Sequence, residues 1–135
     1  MVIPYRLPWF FPSVYCYIQV HYFVGTFFTL LSGLVLAVGD NYLFSGSWDK
    51  TIRVWDLNTL ECIKELEGHT EAVLALAVGN GQLVSGSYDT TVRFWDLRDF
   101  RCVRKCDGHD DAVRVLAATD GKVFSGSYDG TIGVW

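Results

Sequence analysis

The apolar residues of this chain come in short runs rather than at helical spacing. Leu-Val-Leu-Ala-Val at 34–38, Leu-Ala-Leu-Ala-Val at 74–78 and Arg-Val-Leu-Ala-Ala at 114–118 each lead into a pair of turn formers, Asp40-Asn41, Asn80-Gly81 or Asp120-Gly121. Runs this short, closed by residues that tolerate positive φ, predict strands that return through tight hairpins. After each hairpin a second strand reaches Ser-Gly-Ser and turns at an aromatic-Asp pair. A third strand, rich in β-branched and aromatic residues, then covers 51–56, 91–96 or 131–135. A fourth run, at 62–67 or 102–107, is more heavily charged. That composition suits the outer edge of a four-stranded sheet, where Lys and Arg discourage edge-to-edge pairing. The cluster Arg101, Arg104 and Lys105 reads as part of such a solvated edge.

Shifting the chain against itself by 40 residues brings Asp49, Asp89 and Asp129 into register, with Trp55, Trp95 and Trp135, and Gly68-His69 with Gly108-His109. A fixed period of this size marks an array of supersecondary units. The length, 135 residues, allows one domain or part of one, and 50% hydrophobic residues allow a sizeable core. A net charge of -4 without a basic stripe argues against nucleic acid as the partner, and 16% aromatic residues argue against a disordered tail. The cysteines lack metal-ligand spacing, Cys102 and Cys106 being four apart and Cys62 repeating the phase of Cys102. They read as small buried apolar residues in a reducing, intracellular compartment, cytoplasmic or nuclear, and neither metal nor cofactor is expected.

Gly-His, then Ser-Gly-Ser-aromatic-Asp, then Trp-Asp at this spacing resembles the WD-repeat (WD40) family, from about residue 34 onward. The resemblance implies an all-β fold, a fragment of a β-propeller with about three four-stranded antiparallel blades, of which only the middle one is complete. It also implies a hydrogen-bonded network within each blade: His69, Ser85, Asp89 and Trp95 in one, His109, Ser125, Asp129 and Trp135 in the next. Physics supports this independently, since a buried imidazole, indole and carboxylate each need partners. The recurrence of Ser, His and Asp once per repeat is thus construction rather than a catalytic set, which would need an exposed nucleophile, an oxyanion hole and a cleft. Whether Ser85 or Ser87 joins the network is open from the residues, and the family favours the first. The first repeat keeps Ser45, Asp49 and Trp55 but has Phe28-Thr29 where Gly-His belongs.

Residues 1–33 are of another kind: one charge, Arg6, prolines at 4, 8 and 12, and many aromatics. An unrelated or replaced start is the expectation for this aromatic-rich segment, with the repeats occupying 34–135. The alternatives are extra strands, or a membrane helix over residues 22–38, close to the span of a bilayer. Membrane association through residues 1–38 conflicts with the alignment of 34–38 to the strand run at 74–78. A single Arg far from the apolar run does not make a signal peptide.

The family resemblance implies a non-enzymatic scaffold that binds proteins or peptides, completed by further blades. The alternatives are the substrate-recruiting part of a larger enzyme complex such as a ubiquitin ligase, or a membrane-anchored propeller. In a WD blade the aromatic turn and the Gly-His loop share one face, so Trp48, Tyr88 and Tyr128 are the candidate contacts, with Glu71 and Ala72, and Asp111 and Ala112, beside them. Thr70 and Asp110 complete an acidic rim suited to a basic or polar peptide.

Overall fold

A computed structural model describes residues 2–5, 16–19, 29–30, 34–119 and 121–135, those before residue 35 by backbone alone. Every regular element among them is a strand. β1 (Val2–Tyr5) and β2 (Cys16–Gln19) form an antiparallel pair. The first repeat sheet runs β3 (Thr29–Leu30), β4 (Leu34–Gly39), β5 (Tyr42–Ser47), β6 (Ile52–Asp56) and β7 (Cys62–Leu66) in that order. The second has β8 (Val73–Gly79), β9 (Gln82–Ser87), β10 (Val92–Asp96) and β11 (Cys102–Cys106). The third has β12 (Val113–Thr119), β13 (Lys122–Ser127) and β14 (Ile132–Val134). All neighbours pair antiparallel as simple meanders, and the first strands β4, β8 and β12 lie side by side.

The hairpin residues act as their chemistry requires. Asn80 and Gly81 both take positive φ, 53° and 70°, the combination that matches the right-handed twist of flanking strands. The outer strands β7 and β11 are exposed except at their last residue, Leu66 or Cys106. Cys62 and Cys102 are exposed free thiols, contrary to the expectation of buried cysteines, because each opens an edge strand just beyond a register shift. Among the cysteines whose side chains are described Cys106 alone is buried, and burial pushes its thiol pKa up.

Two cores lie between the sheets. Val35, Phe44, Ile52 and Val54 of the first sheet meet Val73, Leu76, Leu83 and Trp95 of the second. Ala75, Val84, Val92 and Phe94 on the other face of the second meet Val113, Leu116 and Val123 of the third. The second sheet thus buries one face against the first and the other against the third, which no single repeat could do alone. Ser-Gly-Ser carries its glycine for this reason. A Cβ on Gly46 would stand 2.6 Å from Cγ1 of Val73, and one on Gly86 equally 2.6 Å from Cγ1 of Val113. The far face of the third sheet leaves Val115, Ile132 and Val134 exposed, whereas Ala75, Val92 and Phe94 at the matching positions are buried.

The segment proposed as a membrane helix is β-strand wherever it is described, at Thr29–Leu30 and from Leu34 onward; the rest of residues 22–38 lies outside the described residues. Among the described residues no helix is long and apolar enough to cross a membrane. Thr29, which stands where the first repeat lacks its histidine, pairs instead with Val35, adding a fifth strand to the first sheet.

Candidate protein-docking face

The loops before β8 and β12 and the aromatic turns all sit at one end of the sheets, and buried networks hold them there. In the second sheet His69 reaches Ser85 Oγ through Nε2 at 2.7 Å and Asp89 Oδ2 through Nδ1 at 2.8 Å. The Trp95 indole N–H donates to the same Ser85 hydroxyl at 2.8 Å. Asp89 also accepts the Thr70 N–H and the Thr91 hydroxyl, so one carboxylate ties the Gly-His loop to the turn. The third sheet repeats the set with His109, Ser125, Asp129 and Trp135.

Burial pushes the Asp89 carboxyl up, but its bonds from His69, Thr91 and Thr70 outweigh that and hold it well below the usual carboxylate range. The Thr131 hydroxyl, followed by the Asp110 and Thr131 N–H groups and His109, does the same for Asp129. Ser85 is the network serine. Ser87 acts elsewhere, its hydroxyl donating to the Ala72 carbonyl at 2.8 Å and receiving the Asp89 N–H at 3.0 Å. Ser85 is fully buried and its Oγ already serves both His69 and Trp95, so no attacking hydroxyl is presented to solvent.

The first sheet builds a reduced version. Trp55 donates to Ser45 at 2.9 Å, and Asp49 accepts the Thr51 hydroxyl at 2.6 Å. Arg53 comes within 3.8 Å of Asp49 and pairs with Glu65 at 3.0 Å. Asp49 is correspondingly more exposed than Asp89, its side chain 30% accessible against 6%. The threonines at 51, 91 and 131 were missed by sequence reasoning, although each stands two residues after its Asp.

The three aromatics before those Asp residues point outward: Trp48, Tyr88 and Tyr128 are 71%, 58% and 63% exposed. Tyr88 and Tyr128 are anchored by backbone, each N–H donating to the carbonyl of Ala72 or Ala112. Ala112 is fully buried and Ala72 partly so; their carbonyls serve the turn, and the exposed side chains beside the rings are Glu71 and Asp111. Arg114 lies over the Tyr128 ring, 5.7 Å from its centroid. No group of three or more metal-binding side chains occurs among the described residues.

This architecture and its repeated network are those of the repeat units of a propeller, three of them side by side. The family described as "WD domain, G-beta repeat" matches residues 22–56, 60–96 and 100–135, and the chain belongs to that family. The first match begins ahead of residue 34 and takes in β3. Among solved structures, the computationally designed Ika4 protein is 40% identical with a TM-score of 0.69, over 74% of this chain and 62% of that one. U3-55K is 34% identical with a TM-score of 0.67, over 70% of this chain and 30% of that one. Curated relatives include Myosin heavy chain kinase C of Dictyostelium discoideum, 50% identical over 36 residues, 27% of this chain and 5% of the relative. Zinc finger CCCH domain-containing protein 17 of Oryza sativa subsp. japonica is 54% identical over 44 residues, 33% of this chain and 10% of the relative. The aligned stretches thus span a tenth or less of these relatives' lengths.

Proposed function

We propose that this chain is a non-catalytic docking platform for other proteins, bound at the end of the sheets that carries Trp48, Tyr88 and Tyr128. The observation that carries the reading is the repetition of one exposed ring per sheet at equivalent positions, each on a turn closed by the Asp N–H donating to the preceding Ser hydroxyl. Rings offer large contact area at small entropic cost and are enriched in binding hot spots. A ring that merely covered its own turn would not be more than half exposed in all three copies. Propellers of the WD-repeat family are generally scaffolds, and the buried Ser, His and Asp sets support the same role here. The exposed thiols of Cys62 and Cys102 suit a reducing intracellular compartment.

A second reading makes the platform the recruiting part of a longer protein that is itself an enzyme. The likeness to Myosin heavy chain kinase C, matched over 5% of its length, favours it. The two readings share the docking face and differ in what adjoins it.

The test is calorimetric titration of a purified protein partner against Tyr88→Ala and Tyr128→Ala. Each is expected to weaken binding by more than about 1 kcal/mol while leaving the melting temperature unchanged. Unchanged affinity in both would overturn the reading.

A further inference from the structure

The seams between neighbouring sheets differ at one charged position. Across the first seam, Lys50 of the β5–β6 turn reaches Glu71 of the loop before β8, Nζ to Oε1 at 3.7 Å. Forty residues on, Thr90 replaces Lys50 and Asp111 replaces Glu71. The second seam keeps the acid and has lost the internal cation. Asp111 is exposed, its Oδ1 receives only the neighbouring Ala112 N–H, and neither it nor Asp110 has an ion-pair partner among the described residues. Tyr88 and Tyr128 belong to the turns on either side of this seam, as Trp48 and Tyr88 do at the first.

We infer that the seam between Tyr88 and Tyr128 receives a lysine or arginine side chain from the docked protein, in the position that Lys50 fills at the first seam. The inference rests on the docking face proposed above and names the chemistry of its partner: an exposed basic segment. Charge complementarity carries it. An ammonium or guanidinium would meet the Asp111 carboxylate as Lys50 meets Glu71, with aromatic faces near to hold its stem or its charge. That a ring here can carry such a group is visible in Arg114, whose guanidinium already covers one face of Tyr128. Arg114, three residues from Asp111, is also a fixed positive charge beside this seam, so a ligand carrying several positive charges would feel its repulsion. The docked segment therefore presents one basic residue at this seam rather than a run of them.

The chain supplies its own test. Position 90 holds a φ of 71° and Lys50 adopts 78° at the equivalent place, so Thr90→Lys introduces no backbone conformation that lysine does not already take. It would install the missing internal cation and close the second seam. Lys50→Thr would open the first, freeing Glu71. The probes are two fluorescein-labelled dodecapeptides of glycine and alanine, one with a single central lysine and one with glutamate there. They are followed by anisotropy against the full chain at low salt, with circular dichroism verifying each variant's fold.

The expected result is binding of the lysine peptide alone, weakened about tenfold or more by Thr90→Lys and by Asp111→Asn, with a second site appearing in Lys50→Thr. Equal binding of both peptides, or no loss in folded Thr90→Lys and Asp111→Asn, would overturn the inference. If Tyr88→Ala and Tyr128→Ala release a protein partner while Thr90→Lys does not, the docking face stands and the cation site falls.

Discussion

Cγ1 of Val113 fills the space that a side chain at Gly86 would need: a Cβ there would lie 2.6 Å away. Gly46 and Val73 repeat the relationship one sheet earlier. The middle residue of Ser-Gly-Ser is therefore set by the next sheet, while its flanking serines are set by their own. Gly86→Ala is expected to destabilise the chain by about 1–3 kcal/mol through overpacking. Combined with Val113→Ala, which removes the opposing methyl groups, the loss should be smaller than the sum of the two single changes. Urea denaturation of the four proteins in this cycle measures the coupling; strict additivity would mean the two positions do not share a seam.

The acid limb of stability follows from Asp89 and Asp129. Both carboxyls are held below their usual values in the folded chain, so at moderately acidic pH the unfolded chain binds more protons. Their contribution is fully present above the ordinary carboxylate pKa, near 3.8, and is lost as the pH falls from there through the lower folded values. Denaturant midpoints recorded between about pH 5 and 2 should fall toward acid, and the fall should be shallower in Asp89→Asn. An identical slope in that variant would assign the acid sensitivity to other groups.

Much of this arrangement is legible in the sequence, and the reasons differ by element. Positive φ at Asn80 and Gly81 and a branched or aromatic third strand are local requirements, so turn chemistry and strand composition announce them. The partners of His69 follow from the resemblance to the WD-repeat family, and the need of a buried imidazole for hydrogen-bond partners supports them. Thr91 escaped because threonine is an ordinary strand residue, and its bond to Asp89 spans only two positions. Cys62 and Cys102 are exposed although cysteine is commonly buried, because both sit on the outer edge, where the alternating pattern of an inner strand no longer decides burial.

The far face of the third sheet shapes how the 135-residue chain behaves in isolation. Val115, Ile132 and Val134 are each more than half exposed on a surface whose equivalents in the second sheet are buried. Expressed alone, the chain is expected to associate, with a sedimentation profile that shifts to larger species as concentration rises. Ile132→Lys with Val134→Lys should move that profile toward the monomer. A sharp, concentration-independent monomeric melt of the unaltered chain would contradict the expectation.

The central claim is that the recurring Ser, His and Asp residues are a buried scaffold for the docking face, and hydrogen exchange at the tryptophan indoles tests it most directly. Trp95 donates its N–H to Ser85 at 2.8 Å and is 2% exposed, whereas Trp48 stands 71% exposed as an internal control. Followed by nuclear magnetic resonance, the Trp95 indole proton should exchange only through large-scale opening, far more slowly than that of Trp48. Ser85→Ala should strip most of that protection. Exchange of Trp95 at the rate of Trp48 in the unaltered chain would show that the network is not closed, and the account built on it would fall.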